Sequence, residues 1–279
     1  MTAVTIMGAG GKMGFRTASN LRRSGYDLRL VEVSEAGRKR LTDAGLQCLP
    51  EAEALAGADA VVLAVPDAFI GRVSHGINPN LSPGAMLVLL DPAAPFAGEL
   101  PQRDDLIYFV AHPCHPPIFN DEFDPAAQAD HFGGVAAKQH IVCSLMQGPE
   151  SAYGMGEAIA RSMYAPVMRA HRVTVEQMAI MEPALSETVG ATCISIIREA
   201  MDEAIRRGVP AQAAQDFIEG HLRIEIAILF GHLPGAQFSD GAKKAIERAK
   251  RTLFQPDWKT VFEPQALAES IHAITRPGK

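Results

Sequence analysis

Two histidines, His112 and His115, stand in the short segment Ala111-His112-Pro113-Cys114-His115-Pro116-Pro117. Prolines at 113, 116 and 117 restrict φ and stiffen this loop, so both imidazoles are pre-set. An imidazole titrates near neutral pH and, when neutral, keeps one nitrogen lone pair. A rigid pair can therefore supply a metal ligand and a general base. A structural zinc site built from His112, Cys114 and His115 competes with that reading, but the second ligand pair of such sites is missing. In the plainest reading one or both histidines only hydrogen-bond the loop. Glu187 is the next candidate. On an α-helix its neighbours one turn on are Gly190 and Ala191, small enough to let the carboxylate reach a ligand or metal, whereas a solvated face would carry Lys or Arg there. It can equally be a surface glutamate. His221 and Glu225, four apart on the most apolar helix, face the same way. They read as a satisfied core pair or as a share of an active site at a subunit interface. Glu182 and His232 are weaker candidates, and Met178, Met181 and Met201 read as core.

A second group of residues has the chemistry of a phosphate seat. The run Gly8-Ala9-Gly10-Gly11-Lys12-Met13-Gly14 follows Val4–Met7 and opens a helix. A dinucleotide pyrophosphate needs backbone N–H groups at a helix N-terminus with no side chain in the way. Glycines at 8, 11 and 14 give a G-x-x-G-x-x-G spacing; the more familiar third glycine would fall at 13, where Met13 stands. A tight strand–helix turn without ligand is the alternative. Glu32 ends the second strand, where an acid accepts the adenosine ribose diol and repels a 2′-phosphate, which favours NAD over NADP. Arg38, Lys39 and Arg40 follow closely and read either as phosphate partners or as a solvated helix face. Pro66 and Asp67 break the next strand at its carboxyl end, where ligands of such sheets bind; Asp67, like Asp91 one strand later, also reads as a helix cap.

The elements that must position these groups change character along the chain. The first half alternates β-branched runs with helical stretches, the pattern of a mostly parallel, doubly wound α/β sheet. Strands are expected at Val4–Met7, Leu28–Val33, Ala60–Val65, Met86–Leu90, Ile107–Ala111 and Ile141–Leu145. From about Glu150 no alternating strand is expected. Helices are expected instead over Ala184–Arg207, Ala211–Leu229, Asp240–Leu253 and Pro264–Ile274. The resulting division is a Rossmann domain at 1–148 and an all-α substrate and dimerisation domain at 149–279. The helix ending Ile224-Glu225-Ile226-Ala227-Ile228-Leu229-Phe230 is apolar nearly all round, so it is expected to be buried in a core or against a second copy, hence a homodimer.

The 279 residues suit two domains, and 47% hydrophobic content suits a full core. A net charge of −6 argues against a nucleic-acid partner. No apolar run is expected to span a membrane. Four scattered cysteines without a CxxC pair read as reduced thiols in a cytoplasmic protein.

The glycine loop, Ala64-Val65-Pro66-Asp67 and the all-helical second half resemble the 6-phosphogluconate dehydrogenase superfamily, and within it the ketol-acid reductoisomerases. The loop also looks like that of dihydrodipicolinate reductases, whose paired-histidine catalytic stretch is missing. Over the whole chain, the length, the segment 111–117 and Glu182-Pro183-Ala184-Leu185-Ser186-Glu187-Thr188-Val189-Gly190 resemble the D-apionate oxidoisomerases. That resemblance implies NAD-dependent oxidation of a branched sugar acid with a 1,2-shift of its carbon skeleton, assisted by a divalent cation bridging the two reacting oxygens. It implies His115 and Glu187 as metal ligands and His112 or His221 as proton carrier. The catalytic lysine of the 3-hydroxyacid dehydrogenase branch has no counterpart between Glu187 and Arg198. A plain sugar-acid or hydroxyacid dehydrogenase, and a non-catalytic NAD-sensing protein, are the alternatives.

Overall fold

The computed structural model describes residues 1–275. They form two compact units, Met1–Met181 joined by the C-terminal segment from Ala268, and Glu182–Leu267.

The first unit is built on seven strands: β1 (Ala3–Met7), β2 (Asp27–Val31), β3 (Ala60–Leu63), β4 (Met86–Leu89), β5 (Ile107–Pro113), β6 (Gln139–Gln147) and β7 (Val167–Arg172). Their order is β2-β1-β3-β4-β5-β6-β7. The first five run parallel; β6 is antiparallel to β5, and β7 is parallel to β6. The strands are near-continuous apolar runs because helices cover both faces. On one face α1 (Lys12–Leu21), α2 (Glu35–Asp43) and α7 (Tyr153–Met163) bury Leu21, Leu41 and Ile159 against Val4, Ile6, Val62 and Phe109. On the other, α3 (Glu51–Leu55), α4 (Asp67–Ile77) and α8 (Val175–Ala179) bury Leu55, Ile70 and Met178 against Met7, Leu63, Leu89 and Val110. Two short helices, α5 (Ala93–Phe96) and α6 (Pro125–Ala129), follow β4 and β5.

Two expectations change. The sheet does not stop at 148: β7 adds an edge strand, and the compact unit continues to Met181. Its alternation was illegible because Met168, Arg169, His171 and Arg172 are exposed, so an edge strand half in solvent leaves no apolar signature. The expected helix over Ala184–Arg207 is also two things. Ile180–Ala191 is a π-helix containing Pro183, and a regular helix, α9 (Thr192–Arg206), follows it. In the wider turn Thr188 donates to the Pro183 carbonyl, five residues back, at 2.6 Å. The residues one turn beyond Glu187 are therefore not those that α-helical spacing supplies. Together these segments make Val175–Arg206 one helical run of 32 residues, long and apolar enough by length and composition to cross a bilayer, which the sequence reading did not anticipate.

The second unit adds α10 (Ala211–Leu229) and α11 (Asp240–Leu253); α12 (Pro264–Thr275) leads back to the first unit. Among the described residues, α9 buries none of its side chains and α10 buries only Ala214 and Ala227. All four cysteines are free thiols.

One contact ties α7 to the strand that carries His112: the buried Tyr164 hydroxyl donates to the Ala111 carbonyl at 2.9 Å. Tyr164→Phe is expected to lower unfolding free energy by about 0.5–1.5 kcal/mol, the net worth of one buried hydrogen bond, measured by urea denaturation.

Candidate active site

The glycine loop is shaped by contacts that leave it no freedom. Gly8 sits at φ +76° and donates to Val31 O at 2.9 Å, as Ala9 does at 3.1 Å. A Cβ on Gly10 would lie 2.4 Å from Gly37 Cα, and one on Gly14 would lie 2.1 Å from Gly8 O. The N-cap residue, Gly11, supplies no side-chain cap, and the first turn of α1 carries no acid. The first N–H groups of α1 and the positive end of its dipole therefore face an uncapped mouth suited to an anion.

Glu32 is 7% exposed and lies under this loop. Its Oε2 accepts Gly10 N–H and its Oε1 accepts Ser34 N–H, both at 2.8 Å. Burial alone would raise the carboxyl pKa, but the Ser34 and Gly10 backbone bonds outweigh it and hold the group below its ordinary value, an anion at neutral pH. The three cations that follow are engaged within the protein. Arg38 donates to Glu32 O at 2.6 Å, Arg40 donates to Gly10 O at 3.0 Å, and Lys39 pairs with Asp43 at 2.9 Å. Of the two readings of this run, neither a phosphate clamp nor an idle solvated face describes the two arginines: they brace the loop.

Beside Gly8 an apolar cleft of ≈ 320 Å³ is lined by Val31, Val33, Val65, Arg72 and Val73. The sequence reading did not single out these residues. Glu51 belongs to the same lining, so the walls are apolar with one cation and one carboxylate, which suits a flat heteroaromatic ring with polar edges. The loop and the cleft together fit a dinucleotide.

The carboxyl ends of β3, β4 and β5 bring together Asp67, Asp91 and His112. Asp67 begins α4 behind Pro66 without a side-chain capping bond, so it is not the N-cap that the sequence allowed. Asp91 is not the N-cap of its helix either, Pro92 holding that place, but its Oδ1 accepts Ala93 N–H at 2.7 Å. Burial pushes the Asp67 carboxyl up to about 6, the Asp91 charge adds to the rise, and His112 opposes it. His112 is half-buried, with Nδ1 at 2.8 Å from Leu90 O. A carbonyl only accepts, so Nδ1 carries the proton and Nε2 is the basic nitrogen.

His115 is the one non-glycine residue with positive φ among the described residues, at +60°. A histidine held there, just before a proline, marks a backbone fixed by its surroundings. Its Nδ1 meets Phe132 O at 2.9 Å, and its ring packs edge-on to the Phe132 ring at 5.8 Å. Nε2 is again the nitrogen with the lone pair. Among the described residues no three His, Cys, Asp or Glu side chains converge as a metal centre, which removes the zinc site of His112, Cys114 and His115.

The second unit carries the other two candidates. Glu187 is exposed on the π-helix. His221 is exposed too, stacked on Phe217 at 3.9 Å with Nδ1 at 2.8 Å from Phe217 O. The expected core pair of His221 with Glu225 is thus replaced by a histidine bound to its own helix. Of the apolar run that suggested burial, Ile224, Leu229 and Phe230 are exposed, Ile226 and Ile228 are half-buried, and Ala227 is buried.

Family models place the chain from both ends. Residues 2–93 match the NADPH-binding domain of acetohydroxy acid isomeroreductase, and residues 120–275 match the C-terminal domain of decarboxylating phosphogluconate dehydrogenase. A D-apionate oxidoisomerase of Rhizobium rhizogenes is 59% identical over 276 residues, 99% of this chain and 100% of that one. One from Cupriavidus necator is 56% identical over 98% of this chain and 99% of that one. The chain belongs to the D-apionate oxidoisomerase family. Membership makes it an enzyme of the oxidoreductase class, within the 6-phosphogluconate dehydrogenase and ketol-acid reductoisomerase-like superfamily. A crystal structure described as a semialdehyde dehydrogenase NAD-binding protein from Cupriavidus necator, in complex with calcium and NAD, superposes with a TM-score of 0.97 at 55% identity, covering 99% of this chain and 100% of that one. The Rossmann-type sheet with a helical C-terminal unit is thus the family's fold.

Asp67 yields a pH prediction. Its folded pKa of about 6 lies above the ordinary value of 3.8, so the folded state binds the proton more tightly. Stability from this group is present in acid and lost as pH rises between those two values. Asp67→Asn removes the loss. The unfolding free energy of the variant relative to wild type is expected to rise from pH 4 to about pH 6.5 and then level off, followed by denaturation at fixed ionic strength; a constant difference across that range contradicts it.

Proposed function

We propose that this enzyme oxidises D-apionate with NAD and couples the oxidation to a 1,2-shift that gives 3-oxo-isoapionate. The observation that carries the dinucleotide half is the uncapped mouth of α1 under a glycine loop braced by Glu32. Preference for NAD rests on Glu32 as a buried anion at the end of β2, where a 2′-phosphate would meet a negative charge. The matched acetohydroxy acid isomeroreductase domain is an NADPH binder by description; the residues at this corner favour the other cofactor. The cleft beside Gly8 takes the adenine, with Arg72 at its rim. The names of the relatives carry the substrate half.

Bound NAD⁺ supplies the hydride acceptor. The Nε2 of His112, at the carboxyl end of β5, takes the proton of the C2 hydroxyl as that carbon is oxidised, while the Nδ1 bond to Leu90 O keeps the ring in the basic tautomer. His115 Nε2 takes the tertiary hydroxyl proton; the hydroxymethyl group then moves with its bonding pair from C3 to C2, C3 becomes the carbonyl, and the C2 oxygen takes back the proton held on His112. His115 and Glu187 are the pair we propose as ligands should a divalent cation take part, and no step is routed through a metal. His221 stays a secondary candidate for proton transfer.

We further propose a cytoplasmic homodimer. What supports a second copy is the bare apolar surface of the helical unit: Ile194, Phe217, Ile224, Leu229 and Phe230 are exposed, and a groove of ≈ 470 Å³ between α9 and α10 is apolar throughout. A surface of that kind is rare on a monomer. Light scattering is expected to return twice 29.9 kDa.

Reaction of D-apionate with NAD⁺ and protein stripped by chelator, followed by NMR of the product, tests the chemistry. The 3-oxo, rearranged skeleton supports the proposal, and an unrearranged 2-oxo acid reduces it to plain dehydrogenation. Full isomerising activity after stripping removes the cation. His115→Ala is expected to lower kcat by about 10²–10⁴, the usual worth of a positioned acid or base.

A further inference from the structure

The loop between β5 and β6 carries a phenylalanine whose surroundings do not suit a packing residue. Phe132 is 45% exposed, so burial gives it little. Its neighbours are charged or polar: Lys12 Nζ lies 3.6 Å from the ring centroid, Arg16 Cζ lies 4.9 Å away, and the His115 ring meets it edge-on. The Phe132 carbonyl accepts the His115 Nδ1 proton. We propose that Phe132 is a positioning residue that couples the cofactor seat on α1 to the His115 imidazole. The inference rests on the reading above, in which α1 receives the pyrophosphate and His115 works at the reacting carbons.

The local structure explains how an exposed ring holds its place. Asp130 Oδ2 accepts the N–H groups of Val135, Ala136 and Ala137 at 3.0, 2.9 and 3.2 Å, closing the turn that contains Phe132. The turn is then attached to one stripe of α1, residues 12, 16 and 20, which lie one above another on the helix. Arg16 donates to Gly133 O at 3.3 Å, and Asn20 donates to Gly134 O at 2.8 Å. Lys12 completes the stripe at the first helical position, beside the uncapped N–H groups. Its ammonium lies against a ring face, which attracts a cation without supplying an anion that would compete with pyrophosphate. Phe132 thereby touches both partners: the ring orients Lys12, and the carbonyl fixes the tautomer and direction of His115. A leucine would fill the same space but has no quadrupole.

The experiment is a double-mutant cycle on the full-length protein, with NAD⁺ affinity read by calorimetry and kcat and KM read on D-apionate. Phe132→Leu and Lys12→Met are each expected to weaken NAD⁺ about two- to fivefold, the range of an exposed cation–π contact. The double variant is expected to be no weaker than either alone, because both remove one interaction. Phe132→Leu is also expected to lower kcat several-fold more than it changes the KM for the sugar acid, and Phe132→Tyr, which keeps the ring, to restore both. Additive losses in the double variant, or a fall in Tm with affinity and kcat unchanged, overturn the proposal and leave a packing residue. The affinity cycle needs no turnover: a wild-type protein that binds NAD⁺ but leaves D-apionate untouched refutes the substrate reading while the cycle still decides the Lys12 arm. A wild-type protein that binds no NAD⁺ overturns both.

Discussion

One buried carboxylate determines whether the rest of this enzyme has a site. Glu32 accepts an N–H from the first βα corner at Gly10 and another from the second at Ser34. Both bonds are charge-assisted and form out of water, where such bonds are strongest. They draw the start of α2 so close that Gly10 and Gly37 meet backbone to backbone, and only glycine fits. Arg38 and Arg40 finish the joint by donating to Glu32 O and Gly10 O. The helix mouth is thereby shaped before any ligand arrives, which spares a cofactor the cost of ordering it.

From that corner the function spreads along the strand ends. The apolar cleft beside Gly8 is lined by Val31 and Val33 after β2 and by Val65 after β3, and the carboxyl ends of β3, β4 and β5 carry the titratable groups. Here Asp67, Asp91 and His112 share one electrostatic environment, in which a carboxyl raised to about 6 sits beside a basic imidazole. A carboxyl raised by burial at such a strand end is the usual material of acid–base chemistry. His115 belongs to a second arrangement, held in a left-handed conformation and anchored through Phe132 to the same α1 that presents the pyrophosphate seat.

Much of this was legible in the residues, and the failures have physical causes. The glycine spacing and the apolar strands reported the Rossmann sheet because both depend on local backbone and on burial from two sides. The helix Ala211–Leu229 matched residue for residue, Pro210 and Gly231 bounding it. β7 escaped notice because a solvent-facing edge strand has no alternation to read. The π-helix escaped because α-helical spacing was assumed across Pro183, and with it went the reasoning about small neighbours of Glu187. His221 was misplaced for a related reason: an all-round apolar helix announces that something covers it, not that the same chain does. Phe132 left no signal at all, since the role proposed for it lies in contacts with Lys12 and Arg16, more than a hundred positions away, and with His115 across a loop.

The central claim is that Glu32 makes the dinucleotide seat. The most direct measurement is a calorimetric titration of NAD⁺ into wild-type protein and into Glu32→Gln, side by side. The amide keeps the shape but loses the charge and presents a donor to one of the two N–H groups. Saturable binding to wild type with a loss of about tenfold or more in the variant is the predicted result, on the worth of hydrogen bonds to a charged group. Equal affinity in the two proteins, or no heat from wild type, would contradict the account.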